Sequence, residues 1–350
     1  MAVKISLEMY LEAWTAFQEH GQNYAAAARS INLSASAFRN RIESGERTYG
    51  KPEAAFEAPS LPNVEMETGE LLTHLTKREE ARKVAAQARK WMTFKMNVEG
   101  PYGLTFMGDP HLGDNGCAIT KLRADMEIAR NPDLPLFLVC MGDTGNFWSN
   151  RLQRLYMEQE TSLQQELQLA EWFFGTKKLD ESLLWFLILL GNHDMMQAGV
   201  GELLKRLSRG TAPCEEWQAQ FVVKSPNGFE FRVWAAHDFP GGSQYSTVFS
   251  PHKKGMLTAA IAHLYICAHR HNWGLHLDED AESGRTFWSA RARGYKFDDD
   301  YARRLGYADH HHGMSITAIV DPNATDPNAV TCFPDTETAA DYLTWLRQRS

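Results

Sequence analysis

The chain has 350 residues, a formal net charge of −8 and 43% hydrophobic residues, the balance of a folded protein with one large domain and a small one. That charge excludes a protein that coats nucleic acid by bulk electrostatics, but not one with a local basic groove or a site for divalent cations. Its five cysteines, odd in number and without a CxxC pair, exclude a zinc ribbon and a disulfide framework and predict a reducing, cytoplasmic home.

The first residues, MAVKISLEMYLEAW, hold no apolar signal-like core, and the longest apolar run, Leu183 to Leu190, is too short to cross a bilayer. No membrane partner is expected. Residues 1–48 read as a small all-α domain. Leu7, Tyr10, Leu11, Trp14 and Phe17 fall at helical spacing, and a second helix is predicted over Asn23 to Ser30. Asn32 suits a left-handed turn, Ser34 an N-cap, and a third helix is predicted from Ala35 to Glu43. The stretch YAAAARSINLSASAFRNRI resembles the helix-turn-helix family, with Ala28 at the close helix contact and Leu33, Phe38 and Ile42 inward. The resemblance implies that Ser36, Arg39, Asn40 and Arg41 face DNA. A three-helix cap without DNA contact is the alternative.

Residues 49–68, rich in Pro, Ala, Glu and Gly, read as a linker, and 69–96 as a connector helix carrying Lys77, Arg78, Arg82, Lys83, Arg89 and Lys90. From 97 to 350 short apolar runs alternate with helical stretches such as LQRLYMEQETSLQQELQLAEWFFGT, the layout of an α/β domain. Five of the runs end in charged or histidine residues: GLTFMGDPH, LFLVCMGD, LLWFLILLGNHD, FRVWAAHD and HLYICAHRH. The residues collected there are Asp109, His111, Asp143, Asn192, His193, Asp194, His237, His269 and His271. Along an extended backbone, the D-x-H and H-x-H spacings place both side chains on one face. Mixed imidazole, carboxylate and amide ligands suit Mn, Fe, Zn or Ni better than Ca or Mg. Singly, each piece is as well explained by a turn or a solvated histidine; five in one sequence are not.

In order and spacing these pieces, GDPH, GDTGN, GNHD, AAHD and AHRH, resemble the calcineurin-like metallophosphoesterases, from about Thr105 to Val320. Two departures are Asn146, where many members have Asp, and Ala268, where Gly is usual. The resemblance implies a four-layer α/β sandwich and two divalent metal ions, with Mn2+ first in mind. One metal would take Asp109, His111, Asp143 and His271; the other Asp143, Asn192, His237 and His269. It further implies metal-activated hydroxide as nucleophile, His193 as a non-ligand general acid and Asp194 as the group that orients that imidazole. GNHD rather than GNHE, and no DRG after GD, lower the protein-phosphatase reading and leave the nuclease and phosphodiesterase branches.

Asn146, Trp148, Arg151 and Arg270 are the substrate-binding candidates. Aromatics interleaved with arginines suit stacking on bases beside a held backbone, whereas core packing of Phe147 and Trp148, or a rim salt bridge for Arg270, is the plain alternative. The segment from Arg291 is similar to phage-type members of the family, which lets Arg291, Arg293, Lys296, Arg303 and Arg304 flank a groove. His310, His311 and His312 read as a loop before a last strand, Ser315 to Val320. His252 and His263 read as unpaired residues of a loop and a helix, Cys140 and Cys267 as core. The expected function is metal-dependent phosphodiester hydrolysis on nucleic acid, DNA first. The alternatives are a phosphatase or phosphodiesterase on a small nucleotide or phosphoprotein, and a non-enzymatic DNA-binding regulator.

Overall fold

The computed structural model describes residues 5–52, 67–88, 90–243, 245–297 and 312–349; Arg89, Arg303, Arg304, His310, His311 and most of the expected linker lie outside them. The protein forms two compact units, Met1–His74 and Leu75–Ser350.

The first unit is built from α1 (Leu7–Glu19), α2 (Tyr24–Ser30) and α3 (Ala35–Tyr49). Each helix starts on a side chain that takes up free backbone amides: Ser6 accepts from Met9, Asn23 from Ala25 and Ala26, Ser34 from Ala37. Asn32 adopts the left-handed turn, with φ 55°. Ala13, Ala16, Phe17, Ala27, Ala28, Phe38 and Ile42 form the core, while Leu7 and Leu11 of the helically spaced set are exposed. The third helix runs to Tyr49 rather than Glu43. It passes through Gly45 because the Tyr10 ring lies where a side chain would be: a Cβ there would sit 2.1 Å from Tyr10 Cδ2. The Tyr10 hydroxyl then donates to the carbonyl of Gly50, 2.9 Å away.

Helix α4 (Thr68–Ala88) ends earlier than expected, and Met92–Lys95 is a strand, β1, not the end of a connector helix. Its backbone pairs in parallel with Phe221–Lys224, and this long-range ladder overrides local helix propensity.

The second unit is mixed α/β. One six-stranded sheet contains β2 (Tyr102–Met107), β3 (Leu136–Cys140), β4 (Trp185–Leu190), β5 (Cys214–Glu216), β11 (Ser315–Val320) and β12 (Val330–Phe333), in the order β12-β11-β2-β3-β4-β5. The other joins β1 to β6 (Gln218–Lys224), β7 (Glu230–Ala236), β8 (Leu264–Cys267), β9 (Gly274–Glu279) and β10 (Thr286–Arg291), in the order β1-β6-β7-β8-β10-β9. Strand residues alternate between two cores, as the two-residue period of a strand requires. Leu104, Phe106, Leu187 and Leu189 of the first sheet meet Val233, Leu264, Ile266 and Ala290 of the second in one core. Ile188 and Leu190 point the other way, toward α5 (Ile119–Arg130), α6 (Leu163–Gly175) and, beyond the short α7 (Asn192–Met196), α8 (Val200–Leu207). Tyr265, Cys267 and Phe287 pack on the outer side of the second sheet, where α9 (Phe249–Leu257) contacts β8 and β10. With both faces covered, β2 and β8 are buried along their whole length and read as continuous apolar runs. The predicted long helix after Asp143 is divided into a 3-10 helix, Asn150–Met157, and α6, which Ser162 and Gln165 open with a reciprocal capping box. No helix among the described residues is long and apolar enough to cross a membrane.

Candidate metal centre

Strands β2, β3 and β4 run parallel in one sheet, and β7 and β8 run parallel in the other. Their carboxyl ends deliver Asp109 and His111, Asp143, Asn192 and His193, His237, and His269 and His271 to one place. Two groups of ligand atoms result, Asp109 with His111 and His271, and Asp143 with His237 and His269, each drawn within 4.8 Å. His237 links them, with Nδ1 3.6 Å from Asp109 Oδ1 and Nε2 3.2 Å from Asp143 Oδ2.

The ligands do not converge by strand alternation. His111, Asp143, His269 and His271 have φ of 44°, 51°, 70° and 50°, the left-handed region that side chains avoid. Each such residue costs about 1–3 kcal/mol, and strain of this kind tends to cluster at functional sites. The turns leave room by meeting at glycines. A Cβ on Gly191 would lie 2.3 Å from Asp143 Oδ1, and one on Gly142 2.6 Å from the Gly191 nitrogen.

Hydrogen bonds fix which ring nitrogen can bind an ion. His111 Nδ1 lies 2.8 Å from Asn146 Oδ1, an amide oxygen that only accepts. The proton is therefore on Nδ1, and the buried Nε2, which has no hydrogen bond among the described residues, carries a lone pair. His237 Nδ1 likewise donates to the carbonyl of Met141 at 2.9 Å. Its Nε2 then faces Asn192 Oδ1 at 2.9 Å, His269 Nδ1 at 3.1 Å and Asp143 Oδ2. Buried Asp109 Oδ1 also lacks a hydrogen bond among the described residues. Lone pairs facing one another in a buried cluster repel unless a cation or proton lies among them, so the donor set fits divalent metal ions.

Charge is distributed accordingly. Burial would raise Asp143, but the charges of His237, His193 and His111 outweigh it and hold its carboxyl well below the usual range. Burial pushes Asp109 up, with Asp143 adding to the rise. Burial would lower His237, yet the two carboxylates lift it above the ordinary imidazole value. His111 is pushed down by burial and by His271 and His193.

His193 stands beside this cluster as a non-member. Its ring is 5.1 Å from those of His111 and of Trp148, both edge-on. The expected partner, Asp194, does not hold it: both oxygens of that buried carboxylate accept backbone amides, from Thr144 at 2.9 Å and Gly191 at 2.8 Å. Asp194 thus ties the GD and GNHD turns together, and burial raises its pKa. The imidazole is held by the carbonyl of Asn146, 2.6 Å from Nδ1. The Asn146 side chain is buried, so it braces His111 rather than meeting a substrate.

Of the other substrate candidates, Trp148 is half-buried beside His193 and Arg151 is exposed on the 3-10 helix, whereas Phe147 is core. Arg270 pairs with Asp238 at 3.1 Å and donates to the Gly241 carbonyl, which is the rim salt bridge. Arg291 does not line a groove. It is fully buried, where it binds Asp238, the carbonyls of Thr247 and Ala268, and Ser250 Oγ, bracing the loops of His237 and His269. Arg293 is buried as well, and Lys296 bridges to Asp114 with its ammonium 6.0 Å from the Trp148 ring.

Glu166 on α6 carries no motif, and sequence reasoning missed it. Its carboxylate accepts the amides of Asn146 and Phe147, both at 3.1 Å, the Tyr156 hydroxyl and Gln159 Nε2. A glutamate inside a helical pattern reads as a solvated face; the signal against that is its position in an otherwise apolar stripe of α6, with Ala170, Phe173 and Phe174.

In the first unit Ser36, Arg39 and Asn40 are exposed on α3, with Arg39 over the Tyr24 ring at 4.9 Å. Arg41 is not outward; its half-buried guanidinium pairs with Glu12 at 3.3 Å.

No family model and no curated protein matches the sequence. Among solved structures one similar protein is described as GAP50, the anchor in the inner membrane complex of Plasmodium, at 12% identity, covering 71% of this chain and 95% of that one. Its TM-score of 0.35 is too low for that likeness to carry any argument about this protein.

Proposed function

We propose that the protein is a dinuclear-metal phosphoesterase of the calcineurin-like type that hydrolyses phosphodiester bonds, with DNA as substrate. The observation that carries this reading is the pairing of two histidine–carboxylate groups through His237, on ligand residues held in strained left-handed backbone. The two sheets packed face to face with helices outside support the metallophosphoesterase-like four-layer sandwich.

One metal ion would be held by Asp109, His111, Asp143 and His271, the other by Asp143, Asn192, His237 and His269. When bound, such a pair supplies a hydroxide near neutral pH and neutralises charge on the phosphate. Mn2+ is the first candidate, with Fe, Zn and Ni next. The remaining work falls to the protein's own residues. With Nδ1 donating to the Asn146 carbonyl, the Nε2 of His193 is the atom that holds a proton and passes it to the departing oxygen. Trp148, edge-on to His193, offers a face for a base or sugar, and Lys296 beside it offers a cation to the backbone. Ser36, Arg39 and Asn40 supply a separate DNA contact on α3.

The test is to load the purified protein with Mn2+ and offer labelled single- and double-stranded DNA, bis-p-nitrophenyl phosphate, p-nitrophenyl phosphate and cyclic nucleotides. Cleavage of DNA and of the simple diester supports the reading. Monoester turnover without any diester turnover overturns it in favour of a phosphatase.

A further inference from the structure

A second cluster of metal-ligand side chains lies away from the centre described above. His252 on α9 and His276 and Asp278 on β9 bring one ligand atom each to within 4.8 Å of one another. His252, expected to be an unpaired loop residue, is inside the helix, with Nε2 2.6 Å from Asp278 Oδ2. His276 Nε2 is 3.7 Å from the same oxygen.

Three features make this a built arrangement rather than a chance surface contact. First, the ligands sit on regular elements. His276 and Asp278 are two apart on β9 and share a face, which is also the face of their cross-strand partners Ser289 and Phe287 on β10. That face lies under α9, since a Cβ on Gly255 would touch Phe287 Cε2 at 2.3 Å. Second, the rings are already oriented. The His252 imidazole stacks on Phe287, with centroids 5.9 Å apart and planes at 19°, and meets His276 edge-on at 5.1 Å. Third, the carboxylate is held by the backbone on one side and meets the histidines with the other. Asp278 Oδ1 accepts the backbone amide of Glu279 at 2.8 Å, which aims Oδ2 at the two histidines. Beside His276 across the ladder, the fully buried Ser289 hydroxyl has no hydrogen bond among the described residues.

We infer that His252, His276 and Asp278 form a third metal site, for Zn2+ or a similar transition ion, with an open position for water. Two imidazoles and one carboxylate are a borderline donor set that Zn2+, Co2+ and Ni2+ accept and Mg2+ and Ca2+ do not. Ideal Zn–N and Zn–O distances of about 2.0–2.2 Å require shifts of only about an ångström from the observed spacings. The three side chains are half-buried or exposed, so an ion reaches them from solvent. A bound ion replaces the His252–Asp278 hydrogen bond and clips α9 to the edge strand β9. The two clipped elements follow the loops that carry His237 and His269–His271 in sequence, so occupancy stiffens that side of the proposed centre without taking part in its chemistry.

The experiment strips the full-length protein with a chelator and follows Zn2+ binding by calorimetry and Co2+ binding by visible absorption. His276→Ala and Asp278→Asn are compared with the parent protein. His276 is exposed on an edge strand, so its variant keeps the fold, which circular dichroism verifies. The expected result is one equivalent fewer of either ion in both variants, and loss of part of the rise in Tm that Zn2+ gives the parent. Equal stoichiometry and an equal rise in Tm in parent and variants overturn the site. The comparison is a difference between proteins that share the Asp109–His271 centre, so it reads the third site whether or not that centre hydrolyses phosphodiesters.

Discussion

The imidazole of His193 rests on the backbone carbonyl of Asn146, 2.6 Å from its Nδ1, and the amide of that same Asn146 is held by the Glu166 carboxylate at 3.1 Å. The proposed proton donor is thus positioned by a turn, and the turn by a helix that has no ligand of its own. Glu166→Gln keeps one acceptor oxygen and turns the other into a donor facing the Phe147 amide. Diester turnover is expected to fall about 10- to 100-fold, since small displacements of a positioned group cost that much, with metal content unchanged. Chemical denaturation should show a loss of about 1–3 kcal/mol from the unsatisfied buried amide.

His193 itself separates chemistry from metal binding. His193→Asn should lower turnover about 100- to 10,000-fold, the range for a lost general acid, while bound metal stays at the parent level. Metal loss in that variant would place His193 among the ligands.

Removing ions should abolish turnover and expose the frustration of the ligand cluster. Asp109 and Asp143 are buried within reach of one histidine, so the chelated protein should be less stable than the loaded one. Thermal unfolding with and without Mn2+ measures this, and Asp143→Asn should remove most of the difference.

Much of the centre was legible in the sequence because its residue types are those of ligands and each follows a strand-like run. The geometry was less so. The D-x-H and H-x-H pairs meet through left-handed turns, not strand alternation, and Asp194 binds amides rather than the imidazole. Glu166 and Arg291 were hidden because their partners lie outside their own helix or strand, so that a buried carboxylate or guanidinium looks like an exposed one. For the same reason β1 was read as helix: its partner strand is β6. The extension of α3 through Gly45 comes with tertiary contacts, the Tyr10 ring at Gly45 among them.

That contact gives a prediction in the first unit. Gly45→Ala gains about 1 kcal/mol of helix propensity but drives a methyl into the Tyr10 ring, and overpacking costs about 1–3 kcal/mol or more. At 2.1 Å the clash wins, so the variant should be less stable. A stability gain would show that Tyr10 moves aside at little cost.

Lys178 gives a pH dependence. Its buried ammonium donates to the carbonyls of Ala129, Asn131 and Leu134, and burial lowers its pKa to about 8 from 10.5. Between those values the unfolded state binds more protons than the folded one, so this group's contribution to stability rises with pH through that window. Relative to Lys178→Met, the parent should gain stability between pH 8 and 10.5. A constant gap across that window would contradict the lowered value.

The most direct test of the dinuclear phosphodiesterase reading is the turnover of bis-p-nitrophenyl phosphate by the Mn2+-loaded protein and by His193→Asn, with metal content measured on the same samples. Hydrolysis by the parent, its loss in the variant and equal metal in both are the expected results. A fully loaded parent that leaves the diester intact would contradict the account.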